Sequence, residues 1–328
     1  MPVVHLRRAG LVVVFLAAAA LALAQTPPDA AAPAAAGAAP EASPIGIREA
    51  LILGFVEGVT EFLPISSTGH LILTNRLLGL DTDDPVQVGD EVWTRKQAAD
   101  AYAVIIQAGA IAAVLLLYRR RAVQMVAGLF GRDPAGRRLL INLGVAFLPA
   151  VVLGLSFGGI IEKHLFGPGP VAAALALGAV AMVFADRYAK RHAADPAPTG
   201  DPLADLPPWR ALGIGFAQCA ALWPGMSRSM SAMVGAYLSG LRPAAAAEFS
   251  FLLGLPTLGG AAAYKLLQSG PLVLAAFGWG PAIVGAVTAG LAAAVAVHIF
   301  VGLIGKIGLT PFAAYRLVVA GAVILFLL

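Results

Sequence analysis

Cysteine is nearly absent from this sequence, and charge is scarce. The single cysteine, Cys219, excludes an intramolecular disulfide and any cysteine-based metal cluster, and reads as a small packing residue. Charged residues make up 12% of the 328 positions, about half the share usual in a soluble domain, so a soluble globular reading is excluded. Basic residues outnumber acidic ones, 22 to 18, yet no basic stripe interleaved with aromatics is present. Nucleic acid is therefore not an expected partner. The short alternating segments of a transmembrane β-barrel are missing as well.

What the chain does have is long apolar runs. Hydrophobic residues account for 59% of it and the mean hydropathy is +0.84. Runs such as 139–161, 171–185 and 283–304 are continuously apolar and rich in Gly and Ala. They approach the ~20 residues a helix needs to cross ~30 Å of hydrocarbon, with the small residues that close helix packing in lipid favours. The expected fold class is an all-α integral membrane protein.

At the start, His5, Arg7 and Arg8 precede an apolar stretch that ends in Ala22-Leu23-Ala24. Residues 1–24 thus have the pattern of an export signal, with an uncleaved first span as the alternative. Residues 25–44 form an Ala/Pro tether with nothing to bury, expected to be disordered. The membrane domain is expected over 45–328.

Charges order that domain across the bilayer. The acid-rich stretch 81–100 reads as external, and Arg119, Arg120, Arg121, Arg132, Arg137 and Arg138 mark the following loop as cytoplasmic. Glu162-Lys163-His164 falls outside, Arg187 to Arg210 inside, Arg242 inside, Lys265 outside and Lys306 inside. Spans are expected near 102–118, 139–161, 171–188, 244–266, 281–304 and 311–328. Two further apolar segments, 47–80 and 212–241, carry Gly/Pro/Ser breaks, and the sidedness works only if both dip in and return on one face.

These two segments resemble each other. Gly54-Phe55 leading to Pro64-Ile65-Ser66-Ser67 parallels Gly215-Phe216 leading to Pro224-Gly225-Met226-Ser227, with a one-residue gap between the halves of the match. An inverted-topology repeat, matched over about 45–161 and 211–328, is expected, and in each half of the chain a re-entrant helical hairpin is followed by three spans.

Ionisable residues inside apolar segments are costly enough to mark function, and the first hairpin holds Glu57, Glu61 and His70. Glu57 and Glu61, at i and i+4, project from one helix face and could share a metal or a proton. Pro64 stops that helix. Ser66-Ser67-Thr68-Gly69-His70 opens the next with hydroxyls and free backbone N–H groups, a start that attracts phosphate. The second hairpin offers Ser227-Arg228-Ser229 at its own helix start, and a guanidinium matches phosphate oxygens two at a time. Two carboxylates beside a phosphate call for an intervening cation or a retained proton, so Mg²⁺ or Ca²⁺ is expected on Glu57 and Glu61. The plainer readings are that Ser229 and Ser231 bond only backbone, and that Glu57 or Glu61 is a structural partner of Arg228. Glu248, near Arg242, reads as a packing or salt-bridge residue rather than a catalytic one, and His164 and His298 have no companions.

The stretch Glu57-Gly58-Val59-Thr60-Glu61-Phe62-Leu63-Pro64-Ile65-Ser66-Ser67-Thr68-Gly69-His70 resembles the glutamate-rich signature of the undecaprenyl-diphosphate phosphatases. Pro224-Gly225-Met226-Ser227-Arg228-Ser229 is similar to that family's second signature, and 248–253 and 311–316 resemble further stretches of it. The resemblance covers about 45–328. Met230 and Ala232 stand where the family pattern carries a glycine and a threonine. What the resemblance implies is hydrolysis of undecaprenyl diphosphate to the monophosphate, metal dependence, carrier-lipid recycling for peptidoglycan synthesis, and bacitracin resistance on overproduction. It implies a multi-pass protein of the bacterial inner membrane with its site facing the exterior.

On this reading Ser67 attacks the terminal phosphorus and His70, three residues on, exchanges the proton; His70 or a water as nucleophile stays open. Ser66, Thr68, Ser227, Arg228 and Ser229 bind the phosphates, and Glu57 and Glu61 hold the metal or position water. The competing class is a lipid-phosphate transporter or flippase, since inverted repeats with broken helices are what secondary carriers present. No feature of the sequence speaks to an oligomeric state.

Overall fold

The computed structural model describes residues 45–88, 91–192 and 200–328. The signal-like and tether segments lie outside the described residues. The first broken helix comprises α1 (Ile47–Thr60) and α2 (Ser67–Leu77), followed by strands β1 (Pro85–Val88) and β2 (Glu91–Thr94). Then come α3 (Arg95–Leu117), α4 (Arg119–Leu129), α5 (Pro134–Leu165) and α6 (Pro168–Arg191). The second broken helix is α7 (Pro208–Gln218), a 3₁₀ turn (Cys219–Leu222) and α8 (Arg228–Leu238). The chain closes with α9 (Pro243–Phe277), α10 (Trp279–Ile307) and α11 (Thr310–Leu327).

Among the described residues, six helices are long and apolar enough to cross a membrane: α3, α5, α6, α9, α10 and α11. They coincide with the expected spans, and the protein is an all-α integral membrane protein. Large apolar side chains such as Leu155, Phe184 and Val295 point outward, as a surface facing lipid requires. Two details depart from expectation within the 81–100 stretch. It contains a small antiparallel hairpin with Val86 opposite Trp93, and α3 starts earlier than expected. Thr94 caps that start by accepting from Gln97 N at 3.1 Å, while Gln97 returns a side-chain bond to Thr94 N. The arginine-rich stretch after α3 is also helical, as α4.

At 14 and 11 residues, α1 and α2 are each too short to span, and they fold back on one another. Ile45, before α1, and Leu78 and Leu80, after α2, belong to one apolar cluster. The second pair closes the same way: Arg210 Nη1 in α7 donates to the Ser239 carbonyl after α8 at 3.2 Å. Lipid is as apolar as a leucine side chain, so close packing rather than water exclusion holds such helices. Hence α1 lies against α10 through Gly58, where a Cβ would stand 2.8 Å from the Ala292 Cβ. Phe62, Phe251 and Phe300 pack in series beneath the first break, edge-on and tilted, with centroids 5.8 and 6.0 Å apart, and set the floor on which the site stands.

Candidate functional site

The two breaks have the same backbone. Ser66 and Ser227 are the only non-glycine residues with positive φ among the described residues, at 73° and 72°. Such a conformation costs a residue with a Cβ on the order of 1–3 kcal/mol and persists only where the surroundings enforce it. Each serine is an N-cap: Ser66 Oγ accepts from Gly69 N at 3.4 Å and Ser227 Oγ from Met230 N at 3.3 Å. The carbonyl of each also accepts a side chain four residues on, from His70 Nδ1 at 2.7 Å and from Ser231 Oγ at 2.9 Å. This pairs Ser66 with Ser227, the same separation as Gly54 from Gly215, so the two segments match without the gap expected from sequence. In the corrected register Ser67 faces Arg228, Thr68 matches Ser229, and Glu57 matches Gln218.

The tips meet. Ser229 Oγ donates to the Leu63 carbonyl of the first break at 2.7 Å and lies 3.1 Å from Ser227 Oγ. Ser67 Oγ, at the start of α2, donates to Glu61 Oε2 at 2.6 Å. Glu61 Oε1 lies 3.7 Å from Arg228 Nη2, an ion pair with side chains 6% and 10% exposed. Charges this deep need a partner, and losing either one leaves the other uncompensated. The Arg228 guanidinium lies 5.3 Å from the Phe62 ring centroid, and its Nη1 donates to the Ser250 carbonyl at 2.8 Å. Its Nε and Nη2 are buried without a hydrogen-bond partner. Buried donors left unsatisfied on a permanent cation are rare and ask for a ligand.

Glu57 is buried on the same helix, with Gln107 of α3 beside both it and Glu61. Its Oε2 has no hydrogen-bond partner. Among the described residues no group of three or more His, Cys, Asp or Glu gathers that could hold a metal. The orphaned Glu57 oxygen, Glu61 and the Gln107 amide nevertheless form an oxygen-only donor set of the kind hard cations take, to be completed by ligand or solvent oxygens.

Of the residues singled out in sequence, Glu61, Ser67 and Arg228 stand in one chain of contacts, Glu57 adjoins it, and Ser66, Ser227 and Ser229 shape the two tips. Thr68 follows in the first turn of α2, half-buried. His70 is placed differently from expectation: its hydrogen bonds run to Ser66 and to the Tyr315 hydroxyl, at 2.8 Å from Nε2, while Ser67 turns to Glu61. Glu248 forms an ion pair at 2.7 Å with Arg121. Sequence reasoning gave no role to Gln107, Ser250, Tyr315 or Arg316. The last is fully buried and donates to the carbonyls of Ala174, Leu175 and Gly225, which ties α11 to the second break.

Relatives carry the same pattern at length. The chain is 45% identical over 280 residues to the undecaprenyl-diphosphatase of Sorangium cellulosum, covering 85% of each protein. It is 44% identical over 270 residues to undecaprenyl-diphosphatase 2 of Rhodospirillum rubrum, covering 82% of this chain and 90% of the relative. With undecaprenyl-diphosphatase of Clostridium tetani the identity is 37% over 281 residues, 86% and 96% of the two chains. The family model for the bacitracin resistance protein BacA matches residues 50–322, both tips included, and this chain belongs to that family.

Proposed function

We propose that the protein hydrolyses undecaprenyl diphosphate to undecaprenyl phosphate and inorganic phosphate, returning the carrier lipid to peptidoglycan synthesis and conferring bacitracin resistance. The observation that carries this reading is the buried Arg228, whose Nε and Nη2 have no hydrogen-bond partner and whose neighbours are a serine and a carboxylate already joined by a hydrogen bond. A diphosphate would fill those donors, with the backbone N–H groups at the starts of α2 and α8 supporting the remaining oxygens.

Ser67 Oγ attacks the terminal phosphorus as its proton passes to Glu61 Oε2. The bond from that phosphorus to the bridging oxygen breaks, and undecaprenyl phosphate leaves with the electron pair. Glu61 passes that proton to the departing phosphate oxygen and, again a carboxylate, takes a proton from the water that attacks the seryl phosphate, returning it to Ser67 Oγ as the bond from Oγ to phosphorus breaks and inorganic phosphate is freed. Arg228 balances charge on the transferring oxygens throughout. Glu57, with Glu61 and Gln107, would hold a divalent cation, Mg²⁺ or Ca²⁺, and such an ion would offset phosphate charge beside the carboxylates.

The hairpins are read as entering from opposite leaflets, with the site open to the exterior of the bacterial inner membrane, on the strength of the charge alternation along the chain. Phosphate release from undecaprenyl diphosphate in detergent tests the proposal, because transport needs a sealed membrane and hydrolysis does not. Wild type is expected to turn over, Arg228→Ala and chelator-treated protein to lose activity. Full turnover by Arg228→Ala would overturn the site as drawn, and full turnover in chelator would remove the metal.

A further inference from the structure

His70 and Ser231 occupy the same slot in the two tips, and each donates a side chain to the carbonyl of the serine with positive φ. A hydroxyl therefore suffices for that bond. What an imidazole adds is its second nitrogen. A carbonyl only accepts, so Nδ1 carries the proton, and in the neutral ring Nε2 is left with a lone pair. Tyr315 O–H meets that lone pair at 2.8 Å, its ring stacked on the imidazole at 17° with centroids 5.5 Å apart. No counterpart exists at the second tip, where Ser231 has no further group to offer.

We infer that Tyr315 is a positioning residue for the proposed reaction: its hydroxyl fixes His70 as the Nδ1–H tautomer, and His70 in that form holds the Ser66 carbonyl and so aims Ser67 at Glu61. Ser66 and Ser67 are consecutive, so the backbone plane that His70 grips is the peptide linking the capping serine to the nucleophile. The next residue, Arg316, ties the same helix to Gly225 of the second tip, so α11 sets both tips from one rigid element. His70 thereby acts as a strut with both nitrogens engaged, and Glu61 rather than His70 takes the Ser67 proton.

This inference rests on the proposed hydrolysis for its kinetic arm and stands apart from it in its spectroscopic arm. In protein labelled with ¹⁵N-histidine and held in detergent, the His70 resonances, assigned by their loss in His70→Asn, are expected to show a protonated Nδ1 and a hydrogen-bonded Nε2. Tyr315→Phe keeps the stacked ring and removes the donor, and the Nε2 resonance is expected to move to the position of a free lone pair. In kinetics on undecaprenyl diphosphate, Tyr315→Phe is expected to lower kcat about tenfold with KM little changed. Added to His70→Asn, the same change is expected to cost nothing more, since Tyr315 acts only through the imidazole. An unmoved Nε2 resonance, an Nε2–H tautomer in the wild type, or full additivity of the two variants each overturns the inference. A wild-type protein that releases no phosphate would sink the proposed function while the spectra still decide the Tyr315 contact.

Discussion

Ser67 Oγ donates a hydrogen bond to Glu61 Oε2 at 2.6 Å, and this bond joins the residue that caps the end of α1 to the first residue of α2. The loop between them, with Pro64 inside it, turns the chain so that residues six apart face each other. A carboxylate accepting from a hydroxyl beside a guanidinium is a base with its proton donor already in place.

Glu61→Gln keeps an acceptor for Ser67 in nearly the same volume and removes the capacity to take its proton. Steady-state phosphate release is expected to fall by ~10²–10⁴ in kcat. The variant also leaves Arg228 without its carboxylate, so tighter binding of product phosphate is expected, readable as a lower inhibition constant. Unchanged kcat would remove Glu61 from the proton path.

Arg228→Lys retains the charge but not the planar fork, and a lysine has no geometry to bond the Ser250 carbonyl and a phosphate together as the guanidinium does. A loss of ~10²–10³ in kcat/KM is expected, comparable with removing a transition-state donor. The arginine fits because Gly254 leaves room for it: a Cβ there would stand 2.8 Å from Arg228 Nη1. Gly254→Ala is therefore expected to lower activity by displacing the guanidinium, with thermal stability reduced less than activity. Circular-dichroism melts alongside the assay separate the two.

The hydroxyl of Ser229 makes a direct hydrogen bond between the tips. Ser229→Ala leaves the Leu63 carbonyl with only its bond from Ile65 N, and loss of the buried bond between the tips costs about 0.5–1.5 kcal/mol. Thermal unfolding in detergent should report the loss. Ser229→Thr keeps the hydroxyl and is expected to recover most of it, whereas equal destabilisation by both would assign the effect to packing.

Much of this site was legible because ionisable residues stand out in an apolar chain. Glu57, Glu61 and Arg228 could be selected before any fold was known, and Pro64 and Pro224 marked where the helices had to stop. The residues that escaped, Gln107, Ser250, Tyr315 and Arg316, come from helices whose sequence reads as ordinary membrane span, and their roles depend on which face is turned inward. Ser250 contributes through its backbone carbonyl, which no side-chain pattern reports. His70 stood out as an ionisable residue inside an apolar segment, but its partners lie on the carbonyl of its own turn and on a helix far along the chain, and spacing on one helix pointed to Ser67 instead. The register of the two tips was misread by one residue because the prolines align by type, while the backbone aligns by the strained serine. The small hairpin in the 81–100 stretch had a signal, the alternating valines at 86, 88 and 92, that the acidic composition masked.

On the side marked by arginines, Arg121 pairs with both Glu248 and Asp201, tying α4 to α9 and to the segment before α7. Burial pushes the Asp201 carboxyl up, but hydrogen bonds from Arg121 and from the backbone of Leu203 and Ala204 outweigh it and hold it below the usual carboxylate range. A carboxyl depressed in the folded state adds stability at pH values above its unfolded pKa and loses it as pH falls through the folded value. The 201–206 segment is therefore expected to stay docked from neutral pH down past the ordinary Asp range, and to loosen only in stronger acid. Arg121→Gln removes the main partner and should shift that loosening to higher pH, since burial then acts with less opposition. Limited proteolysis of the segment across a pH series, read by mass spectrometry, checks this: wild type and variant that open at the same pH would show that the Arg121 contact does not hold the segment.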